Sequence, residues 1–290
     1  MMNIKRIIPS LGTKKRVIGA SWGSCVLAML GILGLFWPLT SHAAQMVGHR
    51  ALYSLEAGSF DDGSNFDGAS GKMELSMERN CDGWTMSQSL KMNLQLVSGG
   101  ELQQFHRYTG RENHDGTQYD FFSSSQAGDT RDDFRGQAVM ERPRGAGNAE
   151  FRIPQGKKIP LPQGTRFPLG HTAFLIDRAM AGDRMVNATV FDGGDDTGPQ
   201  QVTAFIGKKI PARDVIGKKR AKALGPLVDR SGWKMRMAFY KLDSQKAEPE
   251  YEVEALQLDN GVTPWLLLDY HDFSVILKMI KIEEIPPPKC

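Results

Sequence analysis

A mostly β fold is predicted by three observations. Apolar and polar residues alternate at period two along much of the chain, Gly, Asn and Asp interrupt that alternation at short intervals, and one segment alone shows helical spacing. Neither a Ser/Pro linker, a low-complexity tract nor a clear internal repeat divides it.

The first clear strand is Lys72 to Glu78, with Met73, Leu75 and Met77 on one side. Trp84 to Leu96 is longer. Trp84, Met86, Leu90, Met92, Leu94 and Leu96 share one face, interrupted only by Gln88, and Thr85, Ser87, Ser89, Lys91, Asn93 and Gln95 share the other. At about 3.3 Å per residue this strand spans roughly 40 Å, a length that suits a strongly curved sheet or a barrel wall. Gly99-Gly100 then marks a hairpin turn leading into Leu102 to Tyr108. Thr117 to Ser123, Asp133 to Glu141 and Ala149 to Ile153 continue the series between glycine-containing turns.

The exception follows. Thr172 to Ala181 places Phe174, Leu175, Arg178 and Ala179 at helical spacing, with Thr172 as the cap and Gly182 as the stop, so a short helix is predicted over 172–181. Before it, Pro160, Pro162 and Pro168 hold the chain extended, because proline disfavours helix at the preceding residue. Further strands are expected at Met185 to Phe191, Gln201 to Ile206 and Trp233 to Tyr240, the last with Trp233, Met235, Met237 and Phe239 on one face. Tyr251 to Leu258 and Trp265 to Tyr270 are joined through Asn260-Gly261, the strongest short hairpin signal in the chain. Phe273, Val275, Leu277 and Met279 close the alternation.

The N-terminus reads as an export signal. Lys5, Arg6, Lys14, Lys15 and Arg16 precede an apolar run from Val17 to Leu39, and Ser41 and Ala43 supply small residues at the positions a signal peptidase needs. Residues 1–43 are therefore expected to be removed, leaving residues 44–290 as one domain in the periplasm. An uncleaved membrane anchor is the alternative. A lipoprotein signal at Cys25 fits less well, since Trp22-Gly23-Ser24 makes a poor lipobox. Without the signal, 31 basic residues face 33 acidic ones, and the sequence offers no obvious basic run of the kind nucleic acid requires.

Loss of Cys25 leaves Cys81 and Cys290, and an even pair in an exported chain favours a disulfide. Two free thiols or an intermolecular bridge are the other readings. A bridge would close 208 intervening residues and is expected to hold the last strand beside the strand that begins near Trp84.

Motifs for chemistry are scarce. The sequence contains no G-x-S-x-G, H-E-x-x-H, C-x-x-C or P-loop. Asp192 to Gly198 sets three carboxylates in a glycine-rich loop, but lacks the EF-hand spacing, so a solvated hairpin loop is expected and no metal. Asp269, His271 and Asp272 flank Tyr270, with alternation sending His271 to the opposite face. His171 stands at a strand-to-helix junction, where a histidine bonding backbone groups is the commoner role than a base. The Asn187-Ala188-Thr189 sequon matters only in a glycosylating pathway. What remains is apolar surface: methionines at 73, 77, 86, 92, 140, 235, 237 and 279 recur on alternating faces, and such side chains either fill a core or line a site for an apolar ligand.

Several segments together resemble a known family. They are Cys81-Asp82-Gly83-Trp84-Thr85, then Phe167-Pro168 with His171, Val190-Phe191-Asp192-Gly193, and Leu266 to Ser274 with Asp269, Tyr270 and Asp272, ending in Cys290. Over nearly all of residues 44–290 the chain resembles the EipB-like periplasmic envelope-integrity proteins of α-proteobacteria. His271 departs from the run, where the family has glycine. The resemblance implies a β-spiral, a long antiparallel sheet coiled into an incomplete barrel like that of the periplasmic lipoprotein carriers. It also implies a Cys81–Cys290 bridge, a structural role for the motif residues, and a link to a periplasmic tetratricopeptide-repeat protein. It supplies no catalytic residue and no cofactor. The function expected is non-enzymatic support of the envelope, with a lipid, lipoprotein or peptide bound in a concave face built from Trp84, Met86, Leu90, Met92, Leu94, Met235, Met237 and Phe239. The alternative is an interaction scaffold whose interior its own side chains fill.

Overall fold

The computed structural model describes residues 45–242, 244 and 246–290, and the segment read as an export signal lies outside the described residues. Among the described residues fourteen strands make one antiparallel sheet. They are β1 (His49–Phe60), β2 (Phe66–Arg79), β3 (Gly83–Leu96), β4 (Glu101–Asn113), β5 (Gln118–Ala127), β6 (Thr130–Met140), β7 (Gly147–Ile153), β8 (Lys158–Leu161), β9 (Met185–Val190), β10 (Gln200–Pro211), β11 (Ser231–Lys241), β12 (Tyr251–Leu258), β13 (Trp265–Asp269) and β14 (Phe273–Glu284). Two meanders, β1 to β8 and β9 to β14, are joined where β1 pairs with β14 from His49↔Glu284 to Phe60↔Phe273. The outermost strands of the sheet are therefore β8 and β9, which are neighbours in sequence.

The sheet is not closed by strand pairing, yet its two edges meet. Between β8 and β9, Arg166 forms a parallel bridge to Val190, donating its amide to Thr189 O at 2.8 Å and accepting from Phe191 N at 2.9 Å. The loop after β9 completes the seam. The Tyr119 hydroxyl of β5 donates to Asp192 O at 2.6 Å, and Lys157, just before β8, pairs with Asp196 at 2.9 Å. Coiling the edges together in this way covers groups that an open edge would offer to other chains.

Period-two alternation places the core. On one half, Tyr119, Phe121, Phe134, Ala138, Met140, Ala149 and Phe151 point inward and enclose Phe167 and Phe191. On the other, Val202, Ala204, Ile206, Trp233, Met235, Met237, Phe239, Tyr251, Val253 and Ala255 do the same. Over this second face lies helix α1 (Pro168–Met180), burying Leu175, Ile176 and Ala179.

The helix begins four residues before the predicted start at Thr172. Pro168 is at home in the first turn because it has no amide to satisfy there. The next two amides, of Leu169 and Gly170, are satisfied by the Glu112 carboxylate of β4 at 2.6 and 2.9 Å, so Thr172 is not the cap. Its hydroxyl instead donates to Pro168 O within the helix. Gly182 ends the element as predicted, at φ 93°. The connection between β10 and β11 carries two short helices that sequence periodicity did not indicate, α2 (Arg213–Ile216) and α3 (Lys218–Leu224). A basic run, Lys208 to Lys222, extends from the end of β10 into this connection, where none was expected. Strands β1 and β8 were likewise not predicted.

Turn chemistry holds at both expected hairpins. Gly99 and Gly100 take φ 88° and 97° between β3 and β4. Asn260-Gly261 lies in the β12–β13 connection with Gly261 at φ 87°, although that connection spans 259–264 and is not a two-residue turn. Cys81 and Cys290 are bonded, with Cα atoms 5.6 Å apart. The arrangement around the bond differs from expectation: β1 and β2 separate β14 from β3. The tail after Glu284, tied by Ile285 N to Gly48 O at 2.9 Å, reaches the β2–β3 turn past both strands.

Candidate functional site

A cavity of about 180 Å³ lies between the two halves of the sheet and α1. The first wall comes from β1, β2 and β3: Tyr53, Met73, Leu75, Met77, Met86, Gln88 and Leu90. The opposite wall comes from β11, β12 and β13: Met235, Met237, Tyr251, Val253, Ala255, Gln257, Leu266 and Leu268. Pro168, Leu169, His171, Thr172 and Leu175 of α1 close a side, and His49, Gly261 and Thr263 lie at one end. Alternation explains the concentration of methionine, since Met73 and Met77 share one face of β2 and Met235 and Met237 one face of β11. Methionine's flexible thioether packs adaptably along such an irregular wall.

Few polar groups face this space, and most are held by the fold. The Tyr53 hydroxyl donates to Thr263 O at 3.0 Å, and the His49 Nδ1 contact to Val47 O is 2.9 Å. Gln88 Nε2 reaches the Met73 sulfur at 3.1 Å. His171 differs. It is 2 % exposed, and among the described residues its ring has no hydrogen-bond partner; only its backbone amide is used, to Phe167 O. The expected role for His171, bonding backbone at the helix start, is therefore corrected: its ring is an uncharged buried group at the cavity wall. Burial, then the nearby Arg166 guanidinium, bring its pKa down to about 3. Behind the helix start, burial raises the Glu112 carboxyl to about 7 although the Leu169 and Gly170 amides pull it down.

The predicted concave face divides in two. Met86, Leu90, Met235 and Met237 line the cavity. Met92 and Leu94 are fully buried beyond it, and Phe239 stacks on Tyr251 with ring centroids 4.5 Å apart. Trp84, at the start of β3, is half-buried and also outside the lining. Gln88 is the residue that sequence reasoning set aside as an interruption. Its place on the apolar face was the signal that a polar group enters the site. The α1 contributions had no such signal, because they depend on where the helix packs.

The motif residues lie at the start of α1, in the loop after β9 and around the β13–β14 turn. Phe167 stacks on Tyr119 at 4.8 Å, and Pro168 both starts α1 and meets the cavity. Gly193 takes φ 64°, and a Cβ there would sit 2.4 Å from the Phe121 ring, so a side chain is excluded. The Asp192–Gly198 loop is not the solvated hairpin expected. Phe191, Gly193 and Gly194 are buried, and the acidic side chains bond locally: Asp192 Oδ1 accepts Gly194 N, and Asp195 Oδ1 accepts Thr197 N and Oγ1. Among the described residues no group of three or more His, Cys, Asp or Glu could hold a metal ion. Asp269, Tyr270 and Asp272 form the β13–β14 turn, with Asp269 Oδ1 accepting His271 N at 3.1 Å and Asp61 N donating to Asp272 O at 3.0 Å. His271 has φ 75°, a conformation that favours glycine, and its Nε2 lies 2.8 Å from Pro249 O.

Comparison with known proteins gives a consistent picture. The family model described as EipB-like matches residues 40–286. A curated relative, cell envelope integrity protein EipB of Brucella abortus (strain 2308), is 25 % identical over 272 residues, covering 92 % of this chain and 94 % of the relative. A crystal structure from Brucella abortus, titled as a beta-barrel-like protein of domain of unknown function DUF1849, superposes with a TM-score of 0.76 at 24 % identity. The match covers 84 % of this chain and all of that one, and it supports the rolled-sheet fold.

Proposed function

The chain belongs to the EipB-like family, and on that footing we propose that it is a non-enzymatic periplasmic protein that supports cell-envelope integrity by binding an apolar ligand. The ligand is a lipid, an acylated protein or an apolar peptide, held in the cavity between β1–β3 and β11–β13. Residues 1–43 act as the export signal, cleaved after Ala43. The observation that carries this reading is the cavity itself. Methionines from both walls line it, and so does His171, a buried ring with no hydrogen-bond partner among the described residues. A space of about 180 Å³ is comparable with an apolar protein cavity of about 150 Å³ that binds benzene. It therefore takes the end of an acyl chain or one apolar side chain, with the rest of the ligand continuing outside.

A second reading is favoured by one observation: Met92, Leu94 and Phe239 are already packed. On that reading the interior is a core and the protein is a scaffold for a partner such as a tetratricopeptide-repeat protein. Native mass spectrometry of protein recovered from a periplasmic extract separates the two. A co-purified lipid, displaced by an apolar fluorescent probe, supports the first reading. Protein without ligand that never binds the probe rejects it.

A further inference from the structure

Charge is unevenly distributed in this protein. From Lys208 to Arg230 there are eight basic residues and two acidic ones, Asp214 and Asp229, while the remainder of residues 44–290 holds 23 basic and 31 acidic. Three of the eight fix this segment to the sheet. Lys209 and Arg230 both pair with Asp259, at 3.2 and 2.9 Å, and the Arg220 guanidinium donates twice to Met279 O of β14, at 3.1 and 2.7 Å. The other five, Lys208, Arg213, Lys218, Lys219 and Lys222, are exposed, and none has an ion-pair partner among the described residues.

Such a cluster carries a mutual repulsion that an anionic surface would relieve. Lys218 and Lys222 are one helical turn apart on α3, a spacing at which like charges repel. Half-buried aliphatic side chains, Val215, Ile216, Leu224 and Leu227, sit among these cations. That mixture of cations and aliphatic groups is what an interfacial surface presents to lipid. The segment also adjoins the cavity: Asn260 Nδ2 donates to Leu227 O at 3.0 Å, and the next residue, Gly261, lines the cavity end.

We propose that these five cations, at the end of β10 and in the β10–β11 connection, dock the protein on an anionic phospholipid bilayer, with the Gly261 end of the cavity beside the lipid. The bilayer is favoured over an acidic polypeptide because the cations are spread along two helices and a strand end, among aliphatic groups, and adjoin an apolar cavity. The docking rests on the cations and the aliphatic groups among them; only the orientation of the cavity draws on the ligand-binding reading.

The test is sedimentation of the exported protein with vesicles of equal parts phosphatidylglycerol and phosphatidylcholine, compared with phosphatidylcholine alone. Binding is expected only to the anionic vesicles, and salt should weaken it. Each single change of these residues to Gln is expected to lower the partition by about fivefold. The quintuple variant K208Q/R213Q/K218Q/K219Q/K222Q should fall to background while keeping the wild-type melting temperature and probe uptake, because all five positions are exposed and outside the cavity. No binding to anionic vesicles, or equal binding by the quintuple variant, overturns the proposal. Binding to soluble polyglutamate without binding to vesicles also overturns it, and assigns the surface to an acidic polypeptide. A Met237→Glu protein that loses the probe and still sediments would show the ligand reading and the docking to be separate.

Discussion

Glu112 of β4 receives the amide of Leu169, 57 residues later, at 2.6 Å, so a strand carboxylate caps the start of a helix distant in sequence. This contact ties the start of α1, and with it one side of the cavity, to the sheet.

A pH dependence follows from the burial of that group. The Glu112 carboxyl has an ordinary value of 4.5 and is raised to about 7 in the folded protein. Between those values the folded state holds a proton that the unfolded chain has lost. The contribution is full below pH 4.5 and disappears as pH rises through 7. The share of stability that comes from this group should therefore fall between pH 4.5 and 7, by up to about 3 kcal/mol. The stability difference between the wild type and Glu112→Gln should change across that range, and a difference independent of pH refutes the assignment. Glu112→Ala, which orphans two helix amides, should lower the melting temperature at every pH.

Two buried histidines act with the opposite sign. Burial brings His106 down to about 4, and burial with Arg166 brings His171 down to about 3. Both are depressed relative to 6.5, so their stabilisation is present above pH 6.5 and lost as pH falls towards 3 to 4. At pH 5 each is expected to cost about 2 kcal/mol relative to pH 7.5. Denaturant titrations of His106→Leu with His171→Leu should flatten the acid side. A double variant as acid-sensitive as the wild type would place the titrating groups elsewhere.

The sheet was legible where alternation was strong and uninterrupted, as in β3 and β11, and where glycine turns bounded it, as at Gly99-Gly100. Strand β1 escaped because its inward positions, His49, Ala51, Tyr53 and Leu55, mix polar, small and large residues. Strand β8 is four residues long and contains Pro160, too little for a pattern. The true helix start and the burial of the Asp192 loop depend on Glu112 and Tyr119, partners 57 and 73 residues away, which no local pattern reports. The cavity was half legible. Sequence put Met86, Leu90, Met235 and Met237 on inward faces, but which inward residues pack and which border space is decided by how the coiled sheet meets α1.

The disulfide acts mainly on the unfolded chain. Cys81 and Cys290 are 209 residues apart, and closing so long a loop contributes about 5 kcal/mol in the chain-entropy account. Since β14 is already paired with β1, breaking the bond frees only the tail in the folded state. Cys81→Ser, Cys290→Ser and the double variant should therefore lose the same stability. Unequal losses, or two alkylatable thiols in the unreduced protein, would contradict this.

Three glutamate substitutions test the division of the concave face. Met92 is completely buried outside the cavity, so Met92→Glu places an unpaired charge in packed core and should cost several kcal/mol. Met86 is only half-buried and borders the cavity, so a glutamate there can turn its carboxylate to the open space. Met86→Glu should keep a near-native melting temperature and lose uptake of an apolar fluorescent probe. Met237 is more deeply buried but also borders the cavity, and Met237→Glu should fall between the two in stability while losing the probe. The ordering matters more than any one value. If Met86→Glu unfolds the protein as severely as Met92→Glu, and the wild type takes up no probe, then the space between β1–β3 and β11–β13 is core, and the scaffold reading replaces ligand binding.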